Sequence, residues 1–453
     1  MFEKVLIANR GEIAMRVIRT CQRLGIKTVA VHSEADGALP FATHADEAVH
    51  IGPAQALESY LVMEKIIDAA KKTGAQAIHP GYGFLSENAD FVKAVEAAGL
   101  TFIGPHAESM VTLRDKGSAR AAMHDCGLPV TPGSHDHVDT PEEAVKIAHE
   151  IGFPVMIKAS FGGGGIGMEP VFEEEKLAKA FKKASQRAER AFGRPEVYIE
   201  KLIERPHHIE YQVMADHHGN VATVFERECS IQRRQQKIIE ESPSPFLSPE
   251  LRADMARRIA EAAKKVGYVN AGTWECLVDG SGEHWYFLEV NKRLQVEHPV
   301  TEMVTGLDLV EHQIRIAAGE KLRDDLTGAE THGHAIQARL YAEDPARKFM
   351  PQPGTLSKLR FPEMDGLRVD TGYHEGDVVS PFYDPLIAKI IVHGNNREQS
   401  CDRLAAALQQ IEIEGVVTNR DFLIRCLRHP NFVQGDYSTH FVDNHLDQLL
   451  ETS

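Results

Sequence analysis

The chain has 453 residues and a formal net charge of −16, a length that suggests about three domains. Hydrophobic residues make up 43% and charged residues 26%, a balance that excludes a collagenous, low-complexity or mostly disordered chain. The acidity argues against a nucleic-acid binder, which needs clustered Lys and Arg, and with no run of eighteen apolar residues no membrane span is expected.

The first eight residues read as the start of a strand, so neither a signal peptide nor a transit segment is expected. The six cysteines, Cys21, Cys126, Cys229, Cys276, Cys401 and Cys426, stand far apart, and the 23 histidines show no zinc spacing; reduced thiols in a cytoplasmic protein are expected. Strand-like runs at 5–8, 27–32, 77–79 and 101–104 alternate with helical runs at 11–24, 59–73 and 88–98. That order predicts a parallel sheet with helices on both faces, ending near Leu113. The first strand-to-helix turn, Asn9-Arg10-Gly11-Glu12, lacks a Gly-x-Gly-x-x-Gly fingerprint, so no dinucleotide is expected there. From about 114 to 325 the chain reads as helices mixed with antiparallel-looking strands. The last stretch, from about 331, reads as short strands at 334–341, 354–361 and 385–393, followed by helices from Asn396 onward.

Within the middle stretch, 153–159 reads as a buried strand with Lys158 near its end, followed by Ser160-Phe161-Gly162-Gly163-Gly164-Gly165-Ile166-Gly167. The next residues, Met168 to Phe172, read as extended chain, and Pro170 would interrupt a helix there. The loop is therefore predicted to join two strands. Its glycines can leave backbone N–H groups facing an anion, with Lys158 adding a point charge for phosphate. The alternative is a flexible hairpin tip with no ligand. No Walker A sequence occurs, which excludes a P-loop NTPase.

Residues 272–278 and 285–290 read as two strands of a hairpin. Alternation puts Thr273, Glu275, Phe287, Glu289 and Asn291 on one face, with Trp274, Cys276, Leu288 and Val290 on the other. Facing carboxylates with Cβ atoms about 5 Å apart repel by about 3 kcal/mol at an effective dielectric near 20. A divalent cation removes that cost, and oxygen ligands without sulfur favour Mg²⁺ or Mn²⁺ beside nucleotide phosphates. The alternative is a solvated acidic face, but the polar sequel 291–298 (NKRLQVEH) is longer than an ordinary strand exit. Residues 226–241 mix Arg227, Arg233, Arg234 and Lys237 with glutamines, which on an exposed helix is solvated charge. Lys237 and Arg293 matter if they converge on a small anion beside the metal, where Glu297 can act as general base. His208, at the start of an alternating strand, reads as structural or as a ligand contact.

With these residues in place, the chain resembles the biotin carboxylase family of ATP-grasp enzymes over nearly its whole length. The carrying segments are 7–14 (IANRGEIA), 79–88 (HPGYGFLSEN), the glycine loop, 228–237, 289–302 (EVNKRLQVEHPVTE), 342–345 (AEDP) and 383–389 (YDPLIAK). The resemblance implies an α/β and α+β architecture. An N-terminal parallel α/β domain (1–113) is followed by a central ATP-grasp domain (114–325) with a mobile glycine-rich lid (about 131–203) and a C-terminal α+β domain (326–453). It implies ATP-dependent carboxylation of biotin by bicarbonate, through carboxyphosphate.

It further implies nucleotide contacts at Lys116, Lys158, Gly164, Gly165, His208 and Gln235, and an adenine hinge at Glu200, Lys201 and Ile203. It places the metal at Glu275, Glu289 and Asn291, and bicarbonate at Lys237, Arg293, Gln295 and Val296, with Glu297 as base. Arg339 steadies the biotin enolate. ATP, Mg²⁺ (or Mn²⁺) and biotin are the implied cofactors. Biotin is expected on a separate biotin carboxyl carrier protein, because no Ala-Met-Lys-Met-like segment occurs, with carboxyltransferase subunits completing the system. A homodimer is implied, and acetyl-CoA is the expected final acceptor, ahead of another acyl-CoA or a 2-oxo acid. Phe161, Ile166, Gln235 and Lys292 depart from the family pattern. An ATP-grasp ligase with a different acceptor and a non-catalytic scaffold are the competing readings.

Overall fold

The computed structural model describes residues 1–114, 116–134, 137–159 and 168–451. The N-terminal region contains β1 (Lys4–Ile7), β2 (Lys27–Ser33), β3 (Glu47–Gly52), β4 (Ala77–His79) and β5 (Thr101–Phe102), a parallel sheet in the order β3-β2-β1-β4-β5. Val5, Leu6 and Ile7 are fully buried, as a central parallel strand covered on both faces requires. The helix Gly11–Arg23 ends at Leu24, and Gly25 follows at φ +73°, a left-handed position that lacks the usual β-carbon penalty only for glycine. The helix expected over 59–73 begins later, at Met63, behind a short turn at Ala56–Glu58. β3 escapes a reading of the sequence: it is an edge strand whose residues are mostly half-buried or exposed, so it carries little apolar signal.

In the middle region β6 (Val155–Ala159), β7 (Glu169–Val171) and β8 (Val197–Lys201) form an antiparallel sheet in the order β7-β6-β8. Val155, Ile157 and Ile199 pack there against Ala144, Ala148 and Leu177 of the two flanking helices. The pairing Val155↔Val171 and Ile157↔Glu169 makes β6 and β7 antiparallel neighbours, as a strand–loop–strand unit requires. The glycine loop itself, 160–167, lies outside the described residues.

Among the described residues, the largest sheet has eight strands. β9 (His207–Ala215), β10 (Val221–Arg233), β11 (Gln236–Ser242), β12 (Asn270–Val278), β13 (Trp285–Asn291) and β14 (His334–Tyr341) lie in the order β13-β12-β9-β10-β11-β14, continued by Leu386–Gly394 and Leu367–Thr371. The 226–241 stretch is thus a hairpin, buried except around its turn, and not an exposed helix. Arg227 is fully buried, its Nε donating to Glu210 Oε1 (2.5 Å) and its Nη1 to Gln212 and Thr301. Charge-rich composition mimics a solvated face when the partners, here on β9 and on the helix His298–Thr305, are distant in sequence. Arg234 (φ +47°) and Gln235 (φ +65°) close the hairpin as a two-residue turn with both residues left-handed, the handedness that matches strand twist.

β11 pairs directly with β14, Glu241 opposite Ile336, so the sheet runs unbroken from the middle region into the last. Glu241 fastens that seam. It accepts from Arg397 Nε at 2.7 Å and Nη2 at 3.0 Å, lies 2.6 Å from His334 Nε2 and also accepts from Tyr437. Burial alone would raise its pKa, but His334 and Arg397 bring it down to about 2 from an ordinary 4.5. A carboxyl depressed in the folded state stabilises the fold above its unfolded pKa, and that contribution is lost as pH falls through the folded one. Glu241→Gln should therefore cost about 3 kcal/mol in urea unfolding at pH 7 and flatten the loss of stability between about pH 4.5 and 2. Unchanged stability at pH 7 contradicts this account.

Candidate active site

The β12–β13 register places Glu275 opposite Glu289 and Thr273 opposite Asn291, as alternation predicts. One expectation fails. The register shifts between Glu275 and Cys276, so that Cys276 pairs with Phe287 and Leu288 becomes an extra residue. Phe287 is buried with Trp274, Cys276 and Val290, on the face opposite to the one expected, while half-buried Leu288 lines the cleft with Glu289. A bulge of one residue exchanges the faces beyond it.

Lys237, 12% exposed, is the centre of the site. Its ammonium donates to Glu275 Oε1 (2.7 Å), to Glu297 Oε1 (2.8 Å) and to Glu210. Burial works against the ammonium, yet Glu210, Glu275 and Glu297 together hold its pKa well above that of a free lysine. The same pairing acts on the acids. Burial would raise Glu297, but Lys237, Arg339 and Arg227 hold it well below the usual carboxylate range. Glu275 is likewise depressed, against burial, by Lys237 and His208. Arg339, on β14, donates from Nη2 to Glu297 Oε2 (2.9 Å) and from Nε to Glu240 Oε1 (2.5 Å). Glu297 is thus an ionised carboxylate held between two cations.

The segment after β13 supplies the remaining groups. Asn291 Nδ2 (2.8 Å) and Gln295 Nε2 (3.1 Å) both donate to Glu275 Oε1. Arg293 donates to Gln295 Oε1 (2.8 Å), Asn291 Oδ1 (3.1 Å) and Glu87 Oε2 (3.1 Å). Glu87 belongs to the N-terminal region and also accepts from the Lys292 amide at 3.0 Å. Lys292, one of the departures from the family pattern, is buried and donates to the Leu113 carbonyl at 2.8 Å. It ties the end of β13 to the segment leading into the middle region.

Beside this cluster lies a cleft of about 1440 Å³, lined by Arg120, Lys158, Tyr198, Glu200, Leu288 and Glu289 among others. Lys158 on β6 pairs with Glu200 on β8, and Arg120 lies 3.9 Å from the same carboxylate. Lys201 reaches the carbonyls of Gly152 (3.1 Å) and Phe153 (2.8 Å), and Ile203 is buried. His208 sits beside Glu275, with Nε2 3.2 Å from Oε2, and Gln232 Nε2 lies 3.0 Å from its Nδ1. Gln235 is exposed at the β10–β11 turn. Gly164, Gly165 and the Lys116 side chain lie outside the described residues.

Lys237, Arg293, Gln295, Glu297, Arg339, Glu275 and Asn291 therefore converge, with Lys158, Glu200 and Glu289 on the adjoining cleft. Sequence reasoning missed Glu210, Glu87 and Glu240. Glu210 had a signal, because β9 alternation puts it on one face with His208 and Gln212. For a metal, the fit rests on donor chemistry. Glu275, Glu289 and Asn291 offer oxygens from facing strand positions, the set a small hard divalent ion takes. The nearby His208, Glu210 and Glu275 atoms lie within 4.8 Å of one another, but Glu210 and Glu275 already accept from the Lys237 ammonium and His208 sits against Glu275.

Comparison with known proteins accords with this geometry. Residues 1–110 match the biotin carboxylase N-terminal domain family, 115–325 the carbamoyl-phosphate synthase L chain ATP-binding domain, and 337–444 the biotin carboxylase C-terminal domain. The chain is 51% identical over 446 residues to the biotin carboxylase of Halalkalibacterium halodurans, covering 98% of each. It is 49% identical to a pyruvate carboxylase subunit from Methanothermobacter thermautotrophicus, covering 98% of this chain and 90% of that one. It superposes with a TM-score of 0.92 at 45% identity, over 100% of both chains, on the biotin carboxylase domain of Hydrogenobacter thermophilus 2-oxoglutarate carboxylase, a dimer solved with MgADP, ADP and bicarbonate.

The donor set makes a direct prediction. Glu289→Gln should weaken Mn²⁺ binding in the presence of ADP by at least about tenfold, read by paramagnetic titration, with the melting temperature little changed. Unaltered Mn²⁺ affinity would remove Glu289 from the site.

Proposed function

The chain belongs to the biotin carboxylase family, and on that premise we propose that it carboxylates the ureido nitrogen of biotin with bicarbonate, using ATP. The observation that carries this reading is Glu297 held between Lys237 and Arg339, with Glu275 opposite Glu289, which lines a nucleotide-sized cleft. ATP lies in that cleft with Lys158 near its phosphates and the Glu200–Ile203 segment as the adenine hinge. Lys116, His208, Gln235 and the glycine loop are proposed further contacts. Glu275, Glu289 and Asn291 hold Mg²⁺ (or Mn²⁺), which supplies positive charge for the triphosphate.

Bicarbonate binds among Lys237, Arg293, Gln295 and Val296. Its arrival forces Lys237 to divide its attraction between the new anion and Glu297, so the proton affinity of Glu297 rises at the moment a proton is offered. Glu297 takes that proton, and the oxyanion attacks the γ-phosphorus to give carboxyphosphate and ADP. Carboxyphosphate breaks into CO₂ and phosphate. Phosphate, or a base near it, removes the N1′ proton of biotin, Arg339 offsets the enolate charge, and the nitrogen captures CO₂. A closed lid keeps water from the acyl phosphate.

The Arg339 fork makes this reading preferable to a different acceptor. A buried guanidinium held beside the base suits a neutral urea that becomes anionic during the reaction. The biotin is carried by a separate carrier protein, and a carboxyltransferase passes the carboxyl on, with acetyl-CoA proposed as acceptor; incubating the carboxylated carrier with that transferase and alternative acyl-CoA or 2-oxo acid acceptors tests this choice. A homodimer and a cytoplasmic setting are part of the proposal.

ATP hydrolysis that requires bicarbonate and rises with free biotin, accompanied by carboxybiotin, is the expected activity; no carboxybiotin at high biotin sinks the reading. Glu297→Gln should lower bicarbonate-dependent turnover by about 10²–10⁴ while leaving the KM for ATP within about threefold. Arg339→Met removes a cation that depresses Glu297. The acid limb of the ATPase profile should then move to higher pH, because a base whose pKa rises is protonated earlier.

A further inference from the structure

Two consecutive carbonyls beside Glu297 are held by groups outside the assigned set. Gln295 O lies 2.7 Å from His298 Nδ1 and accepts from the His298 amide at 3.3 Å. Val296 O accepts from Lys389 Nζ at 3.1 Å. In a trans peptide the carbonyl and the following N–H point in opposite directions. Holding Val296 O therefore sets the direction of the Glu297 N–H, and with it the plane that carries the Glu297 side chain; holding Gln295 O does the same for the Val296 N–H.

Lys389 comes from the last region of the chain and is fully buried. It is the cross-strand partner of Arg339 on one side and of Asp370 on the other. Directly opposed residues share a sheet face, so the two cations that hold 296 and 297 stand side by side, Arg339 on the carboxylate and Lys389 on the preceding carbonyl. Acids from two regions stand beside Lys389: Asp370 is held low, against burial, by Arg368 and Lys389, whereas burial raises the pKa of Glu12 against the pull of Lys389. Glu12 Oε2, on the first helix, is 2.9 Å from Nζ, and Asp370 Oδ2 is 3.8 Å away. Asp370 is fixed in turn by the Arg368 fork at 2.8 and 3.1 Å. Glu12 is brought close by a backbone approach that only glycine permits, since a Cβ at Gly372 would lie 2.6 Å from Glu12 N.

The geometry points to Lys389 as a positioning residue of the anion site, which locks the Val296–Glu297 peptide into its binding orientation while Glu12 of the N-terminal region holds its ammonium in place at 2.9 Å. The inference rests on the proposed bicarbonate function and extends it: the anion pocket is complete only when all three regions are assembled. Lys389 touches no reacting atom.

The test compares Lys389→Met, Lys389→Arg and Glu12→Gln with the wild type in two readouts. In steady-state ATP hydrolysis, Lys389→Met should raise the KM for bicarbonate by at least about tenfold with the KM for ATP within about twofold, and Lys389→Arg should recover part of that loss. In hydrogen exchange, the peptide covering 294–298 should lose protection while β10 and β11 keep theirs. If Lys389→Met does not fold, Glu12→Gln, which keeps the lysine and the side-chain volume, should give the same split and the same local loss at smaller size. A folded variant with an unchanged bicarbonate KM and unchanged exchange at 294–298 overturns the inference, as does a parallel rise of both KM values. Exchange does not depend on turnover, so a wild type inactive with bicarbonate would fail the functional reading while leaving the positioning claim measurable.

Discussion

The site depends on one constraint: a lysine ammonium kept almost out of water by three carboxylates. Any one of Glu210, Glu275 and Glu297 would be costly to bury alone, and so would Lys237. Together they are mutually necessary, and each is placed by a different element. β9 brings Glu210, β12 brings Glu275, β11 brings Lys237, and the turn before the helix His298–Thr305 brings Glu297. The strand order β12-β9-β10-β11 is therefore as much an electrostatic arrangement as a hydrogen-bonded one. Arg227 and Arg339 extend the alternation of charge, so the cluster is a lattice of opposite signs and not a single pair. Such a lattice is poised to accept one more anion, because an entering charge can exchange with a carboxylate already held.

The same reasoning explains the reach of the network beyond the cleft. Glu87 from the N-terminal region holds Arg293, Arg16 of the first helix holds Glu302 and Asp308, and Arg368 from the last region also holds Glu302. Regions that look separable by sequence matches share their counter-ions. Removing one region leaves unpaired charge in another, which is why the site belongs to the whole chain and to no part of it.

Much of this is legible in the residues, and the failures have physical causes. The opposition of Glu275 and Glu289 follows from alternation and one turn, because a hairpin is a local structure. The bulge at Leu288 is not legible, since one inserted residue leaves no compositional mark yet moves Phe287 from the acidic face to the core. The 226–241 hairpin reads as helix surface because Arg, Gln and Glu are ordinary there; only their distant partners reveal burial. Lys389 lies in a mostly apolar strand, and nothing near it in sequence announces Glu12. The convergence of Lys237, Arg293, Glu297 and Arg339 is foreseeable through family resemblance, whereas the acids that neutralise them, Glu210 and Glu240, are not.

The unbroken passage of the large sheet from β11 to β14 carries a consequence for how such chains can be recombined. A polypeptide ending before β14 would expose the whole hydrogen-bonding edge of β11, a template for intermolecular pairing, and would strand Glu241 and Glu297 without their arginines. Crossover points in shuffled or fused genes should accordingly fall outside this sheet, so that the catalytic unit is inherited as one indivisible cassette.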